Sequence, residues 1–259
     1  MTDIYQHYRP EERAFVDQVH DWVSQVERQY APKLTDFLDP RQQAIAKELV
    51  GTNGDVKWHL SGGTDEAERQ RLLLAPDYLT PSEEDYQLVL LEIVYPEKFV
   101  SLEHSHVLGA LMNIGLERAK FGDILIRDRV FQLIVSKDVA LYVQSELTSV
   151  GRATVTLEER PLSSALQMED DAEHRLLLVP SLRLDTLLAQ SFKLPRTKAT
   201  ELIKAKKAKV NFQVIEQASY PVRPSDVVSL RGAGRMKVES IEGTTKKDKL
   251  RVSVKIKKS

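Results

Sequence analysis

Between Arg196 and Phe212 the chain reads RTKATELIKAKKAKVNF, with Arg196, Lys198, Lys204, Lys206, Lys207 and Lys209 set against one acid, Glu201. Cations at such spacing bind phosphates. Wound as a helix at about 100° per residue, Ala199, Leu202 and Ile203 share one side. Arg196, Thr200, Lys204 and Lys207 fall on the other. That stripe runs about 16 Å at 1.5 Å per residue, long enough to reach several phosphates of a nucleic acid. Each neutralised phosphate releases a counterion, which is the main source of affinity. Glu201 alone cannot offset the self-repulsion, so a polyanionic partner is expected. Arg196 in the first turn opposes the helix dipole, and an anionic ligand there reverses that sign.

Other groupings carry less chemistry. Cysteine is absent, which removes disulfides and thiolate catalysis and fits a reducing cytoplasm. EHSH, Glu103 to His106, holds two histidines at i, i+2, which cannot share a helical face; capping of a helix entry explains it. Gly62-Gly63 lacks the Gly-Lys-Ser/Thr ending of a phosphate loop. Gly109 and Gly115 fall within a helical pattern, where they suit close helix packing rather than a cofactor turn. Asp185 precedes a Leu187, Leu188 stripe and reads as a helix cap. Glu68, Arg69 and Arg71, and likewise Arg118, Gly122 and Asp123, fit either a functional turn or an ion-paired structural one. No catalytic residue, metal ligand or cofactor is expected.

The elements that position the basic stripe follow from pattern. The net charge of −1 hides a division: residues 181–259 hold 19 Lys and Arg against 7 Asp and Glu, and residues 1–180 hold 18 against 31. An acidic body therefore precedes a basic module. The expected class is α+β in three parts. Residues 1–78 form an N-terminal α/β domain. It has a helix through Phe15, Val16, Val19, Trp22, Val23 and Val26, a second helix opened by Asp39-Pro40, and a strand at VKWHL, Val56 to Leu60. PDYLTPSEED, Pro76 to Asp85, reads as a linker. Residues 79–166 give a central split β-α-β domain of the ferredoxin or RRM-like kind. Its strands are placed at Leu88–Tyr95, Phe131–Ser136 and Ala153–Glu159, and its helices at Ser105–Lys120 and Val139–Thr148. VFQLIVS lacks the aromatics needed to stack bases on that sheet. QMEDDAEHR, Gln167 to Arg175, is a second linker candidate.

Residues 181–259 form the third part. Strands are expected at Lys209–Ile215, Val227–Leu230, Met236–Glu242 and Leu250–Lys257. In the last, Leu250, Val252, Val254 and Ile256 face one way, and Arg251, Ser253, Lys255 and Lys257 the other. The longest apolar run, Leu88 to Val94, is too short for a membrane span, and no secretory signal is visible at the N-terminus.

The stretch Arg183-Leu184-Asp185, then Arg196, Ala199, Leu202 and Ile203, then Val210-Asn211 and finally Asp226 and Val228 resembles the RNA-binding module of the ribosomal protein S-four type. Pro195 replaces that pattern's usual serine, and Lys206, Phe212 and Ser225 replace usual glycines. GGTDEAERQRLLLAP, Gly62 to Pro76, and LGALMNIGLERAKFGDI, Leu108 to Ile124, resemble blocks of the bacterial YlmH family, so the likeness covers nearly the whole chain. It implies a non-catalytic, cytoplasmic RNA-binding protein. Such a protein associates with the large ribosomal subunit, beside ribosomal RNA and peptidyl-tRNA, in rescue or quality control of stalled translation. The expected RNA contacts are Arg183, Arg196, Lys198, Thr200, Lys204, Lys207, Lys209, Asn211 and Arg235. GAGR, Gly232 to Arg235, offers a flexible approach to the RNA backbone. The expected partner is structured RNA, read mostly by shape. No membrane is involved and the chain is expected to be a monomer. An RNA-modifying enzyme of the pseudouridine synthase kind is the alternative, and a protein adaptor acting through the acidic body is a third.

Overall fold

The apolar stripe of Val16, Val19 and Val26 builds helix α1, Arg13–Gln29, whose last turn closes on Tyr30 in the left-handed conformation. The computed structural model describes residues 8–52, 54–167 and 172–258. It divides into two compact units, Met1–Glu169 and Asp170–Ser259.

In the first unit α1 leads to strand β1, Lys33–Leu38, helix α2, Pro40–Val50, and strands β2, Val56–Ser61, and β3, Gln70–Pro76. Asp39 opens α2 by accepting from the N–H groups of Arg41 and Gln42, while Gln42 answers at the Asp39 N–H. The sheet is antiparallel in the order β1-β3-β2. Val19, Val26, Leu38, Ala46, Val56, Leu72 and Leu74 fill its core.

The same unit continues with β4, Leu88–Val94, α3, His104–Asn113, β5, Phe121–Arg127, β6, Val130–Ser136, and α4, Lys137–Glu146. It closes with β7, Ser149–Val150, β8, Ala153–Thr154, and β9, Thr156–Arg160. The order β5-β6-β4-β9, antiparallel throughout, is that of a split β-α-β sheet. One face packs on α3 and α4 through Val89, Leu91, Ile93, Leu133 and Val135. On the other face Leu90, Leu125 and Ile134 are covered by Phe37 of β1 and by Ala165, with Leu162 and Leu166 alongside. That is the face an RRM-type sheet offers to bases. Here it is interior.

Three expectations shift. α3 stops at Asn113 rather than Lys120, because Gly115 turns left-handed at φ 80° and chain reversal follows. Gly109 does lie within α3, yet a Cβ there would meet nothing within 4 Å, so it is not a close-packing glycine. The single strand expected at Ala153–Glu159 is two: β8 pairs with β7 and β9 with β4.

The second unit holds β10, Glu173–Val179, α5, Leu184–Ser191, α6, Arg196–Lys204, and β11, Ala208–Val210. Strands β12, Gln213–Val214, β13, Val227–Leu230, β14, Gly234–Thr244, and β15, Leu250–Lys258, complete it. Its antiparallel sheet runs β10-β15-β14-β13-β11-β12. The core joins Leu184, Leu187 and Leu188 of α5 and Ala199 and Ile203 of α6 to Val210, Val228, Met236, Val252, Val254 and Ile256. The expected alternation of β15 is therefore present. Of the expected linker at 167–175, residues 168–171 lie outside the described residues, and Glu173 to Arg175 open β10. The strand expected at Lys209–Ile215 is a hairpin, β11 and β12, turning on Asn211 and Phe212 at φ 47° and 68°. Positive φ at both central residues is what a type I′ turn requires.

Candidate nucleic-acid interface

Six of the nine expected contact residues collect around α5, α6 and the turn after them. Arg183 is the N-cap of α5. Arg196, Lys198, Thr200 and Lys204 lie on α6, which begins without a side-chain cap. Lys207 falls outside the helix. α6 ends at Lys204, and Lys206 turns left-handed at φ 62° while the N–H groups of Lys206 and Lys207 return to the carbonyls of Ile203 and Leu202. This is a Schellman closure with lysine where glycine is favoured. The helical stripe is thus Arg196, Thr200 and Lys204, extended by a turn. Lys198 is exposed and pairs with Glu201 at 3.1 Å, a contact of small energetic weight.

Lys209 and Arg235 lie elsewhere. Register places Lys209 opposite Ser229, Ser229 opposite Arg235, and Arg235 opposite Lys257, one row across four strands. The inward residues alternate with these, so the row lies on the sheet face turned away from α5 and α6. Lys237 stands opposite Lys255 in the next row but one. Like charges directly opposite each other are unfavourable in a sheet. Lys237 was not among the expected contacts; the alternation of β14, Gly234–Thr244, is the signal that places it on this face. Arg235 also lies 6.0 Å from the ring centre of Phe212.

Asn211 is occupied inside the protein. Its Nδ2 donates to Asp226 Oδ1 at 2.8 Å and its Oδ1 accepts from the Val227 N–H at 2.9 Å. Asp226, fully buried, also accepts from the Arg223 N–H. The side chain therefore fixes the hairpin to β13. Its placement matches the resemblance, but its amide is engaged in structure.

Asp185 does not cap α5. It occupies the second helical position, 3% exposed, and accepts from two arginines. Arg183 donates Nε to Oδ1 at 3.1 Å and Nη2 to Oδ2 at 2.9 Å. Arg196 donates Nε and Nη2 to Oδ2 at 3.1 and 3.0 Å. Burial pushes the Asp185 carboxyl up, but the two guanidiniums outweigh it and hold the group below the ordinary 3.8. The arginine side chains remain 41% and 56% exposed.

In the first unit, Asp123 and Arg71 tie its two sheets to each other, while Arg69 and Arg118 bond closer to their own strands. Asp123 accepts from the N–H groups of Glu68 and Arg69 at 2.6 and 3.2 Å. Arg69 donates to the Phe37 carbonyl, and Arg71 to the carbonyls of Thr35, Tyr86 and Gln87. Arg118 donates to the carbonyls of Phe121 and Gly122 and lies 4.2 Å from the Phe121 ring centre. A Cβ at Gly122 would come within 2.7 Å of the Phe37 ring. Glu103 is the N-cap of α3 and His104 its first residue. Among the described residues no group of three or more His, Cys, Asp or Glu could hold a metal ion. Among them, too, no helix is long and apolar enough to cross a membrane.

Three family models match stretches of the chain. Residues 11–79 match the family model "YlmH, N-terminal", residues 81–164 match "Putative RNA-binding domain in YlmH", and residues 182–228 match the S4 domain. The chain is 48% identical over 253 residues to "Ribosome-associated protein quality control protein P2" of Bacillus subtilis (strain 168), covering 98% of each. It is also similar to the solved "Cell division protein ylmH from Streptococcus pneumoniae", at 40% identity and a TM-score of 0.54. That match covers 63% of this chain and 99% of the other. The chain belongs to the YlmH family.

Proposed function

We propose that this chain is a non-catalytic RNA-binding protein of the cytoplasm. It docks as a monomer on the large ribosomal subunit, against ribosomal RNA and peptidyl-tRNA, in the quality control of stalled translation. The observation that carries this reading is the cationic surface around α5 and α6, with Arg183, Arg196, Lys204 and Lys207 reaching solvent beside the half-buried Thr200, on a module that matches the S4 domain. Lys209 and Arg235 give a second cationic row on the outer sheet face. The relative in Bacillus subtilis carries ribosome association and quality control in its name. The covered sheet of the central domain argues that base stacking there is not the mode of binding. Asp185, closed in by two guanidiniums, speaks against a free acid-base group at the position a pseudouridine synthase reading would use.

The test is charge reversal. Arg196→Glu with Lys204→Glu abolishes co-sedimentation with purified large ribosomal subunits at a temperature below the variant's unfolding transition, while circular dichroism stays near that of the parent. Binding of the parent weakens steeply as potassium chloride rises. Co-sedimentation unchanged by the double reversal would overturn the proposal.

A further inference from the structure

We propose that Arg183, Asp185 and Arg196 form one preassembled clasp for a single RNA phosphate, with Asp185 as the positioning residue. This rests on the RNA-binding reading above. Twelve residues of chain lie between the two arginines, yet both reach the same carboxylate. Each uses its Nε and Nη2 atoms for that carboxylate. Among the described residues neither guanidinium makes a further hydrogen bond or ion pair, which leaves the Nη1/Nη2 end of each, with Nη1 and the second N–H of Nη2, as a fork for a ligand. The third group on Asp185 is the Thr186 hydroxyl, which donates to Oδ1 at 3.2 Å.

One cation suffices to balance one buried carboxylate. The second brings repulsion between guanidiniums and leaves a net positive charge at one exposed spot. A phosphate diester relieves both, and guanidinium forks match its oxygens. A free arginine loses rotamer freedom when it grips a phosphate, and part of that loss is already met here because Asp185 holds both side chains before the ligand arrives. The acid therefore strengthens the binding of an anion.

The clasp and a bare electrostatic field differ in the sign of one substitution. Asp185→Asn makes the protein more positive by one charge. If only the electrostatic field mattered, RNA would bind more tightly and with a steeper salt dependence. The clasp requires the reverse, a loss of about tenfold, the scale of one well-placed contact. The measurement titrates full-length protein against purified large ribosomal subunits at two salt concentrations, below the unfolding transition of every variant. Asp185→Asn is made in the parent and in an Arg183→Ala, Arg196→Ala background, closing a double-mutant cycle. Support is weaker binding in the parent and no further loss in the background lacking both arginines. Arg183→Lys with Arg196→Lys keeps the charges and leaves cations beside Asp185; it too weakens binding, because the forks are gone. If removing the arginines weakens binding while Asp185→Asn tightens it, leaves it unchanged, or weakens it equally in both backgrounds, the clasp is wrong and the RNA reading stands. If neither removal of these arginines nor the reversal of Arg196 and Lys204 changes binding, the RNA reading falls and the clasp falls with it.

Discussion

Two pairs of arginines divide this molecule's labour. Arg69 and Arg71 in the first unit are 5% and 6% exposed and give their donors to backbone carbonyls. Arg183 and Arg196 in the second unit meet a buried carboxylate and keep about half their surface in water. A guanidinium buried against backbone carbonyls cannot be reached by a ligand. One anchored along a single edge still has another edge to offer. The same side chain therefore serves as an internal tie or as a binding group, according to which atoms a ligand can reach.

The comparison breaks most readily on stability. Arg71→Ala strips a donor from the carbonyls of Thr35, Tyr86 and Gln87. The expected cost is about 3 kcal/mol, since unpaired buried acceptors cost roughly 1–3 kcal/mol each. Denaturant unfolding followed by fluorescence of Trp22 and Trp58, both in the first unit, measures it. Arg196→Ala, by contrast, leaves Asp185 with Arg183 and costs about 1 kcal/mol or less. Equal losses in the two variants would erase the distinction. Next in size is Asp123→Ala, which leaves the N–H groups of Glu68 and Arg69 without their acceptor. The expected loss is about 2 kcal/mol, with binding to ribosomal particles unchanged.

Acid sharpens the contrast through opposite signs. Burial raises the Asp123 carboxyl above 3.8 and its N–H donors only partly offset this, so the folded state takes up the proton first. The contribution of Asp123 to stability therefore declines as pH rises from 3.8 through the raised value. The contribution of Asp185, whose carboxyl is held below 3.8, is complete above that pH and fades as pH falls through the lowered value. The deficit of Asp185→Asn should thus grow with rising pH while that of Asp123→Ala shrinks. Parallel slopes in the two unfolding series would count against the assignment.

The smallest effect is a gain. Lys206→Gly relieves a left-handed side chain and gives up only an exposed pair with Glu216. Stability should rise by about 0.5–1 kcal/mol, the left-handed cost less the extra freedom of glycine in the unfolded chain. A lower melting temperature would show that the lysine is held there by something stronger than backbone preference.

Much of this was legible where pattern and packing agree. The stripe of α1, the cap at Asp39 and the alternation of β15 each state one periodicity, and the fold follows them. The strand β3 was hidden because QRLLLAP is buried on both faces and shows no alternation. Strand β5 sat behind a glycine that ended α3 early. The resemblance to the S-four pattern identified Lys206, Phe212 and Ser225 as departures from glycine. All three nevertheless adopt positive φ, at 62°, 68° and 70°, the backbone region that glycine favours. Asp185 was misread because sequence spacing reveals a helix entry, whereas its arginine partners become neighbours only after α5 and α6 pack. The nine expected contacts were drawn from one stretch of sequence, yet strand alternation puts Lys209 and Arg235 on a surface the helices do not share.

The covered face of the central sheet bears on how this protein can be cut. A fragment limited to residues 81–164 would bare Leu90, Leu125 and Ile134 by losing Phe37 and Ala165 together. Such a piece would present a greasy plane to solvent and clump. The smallest manageable fragment for crystallography or pull-down work on that half is the whole of Met1–Glu169.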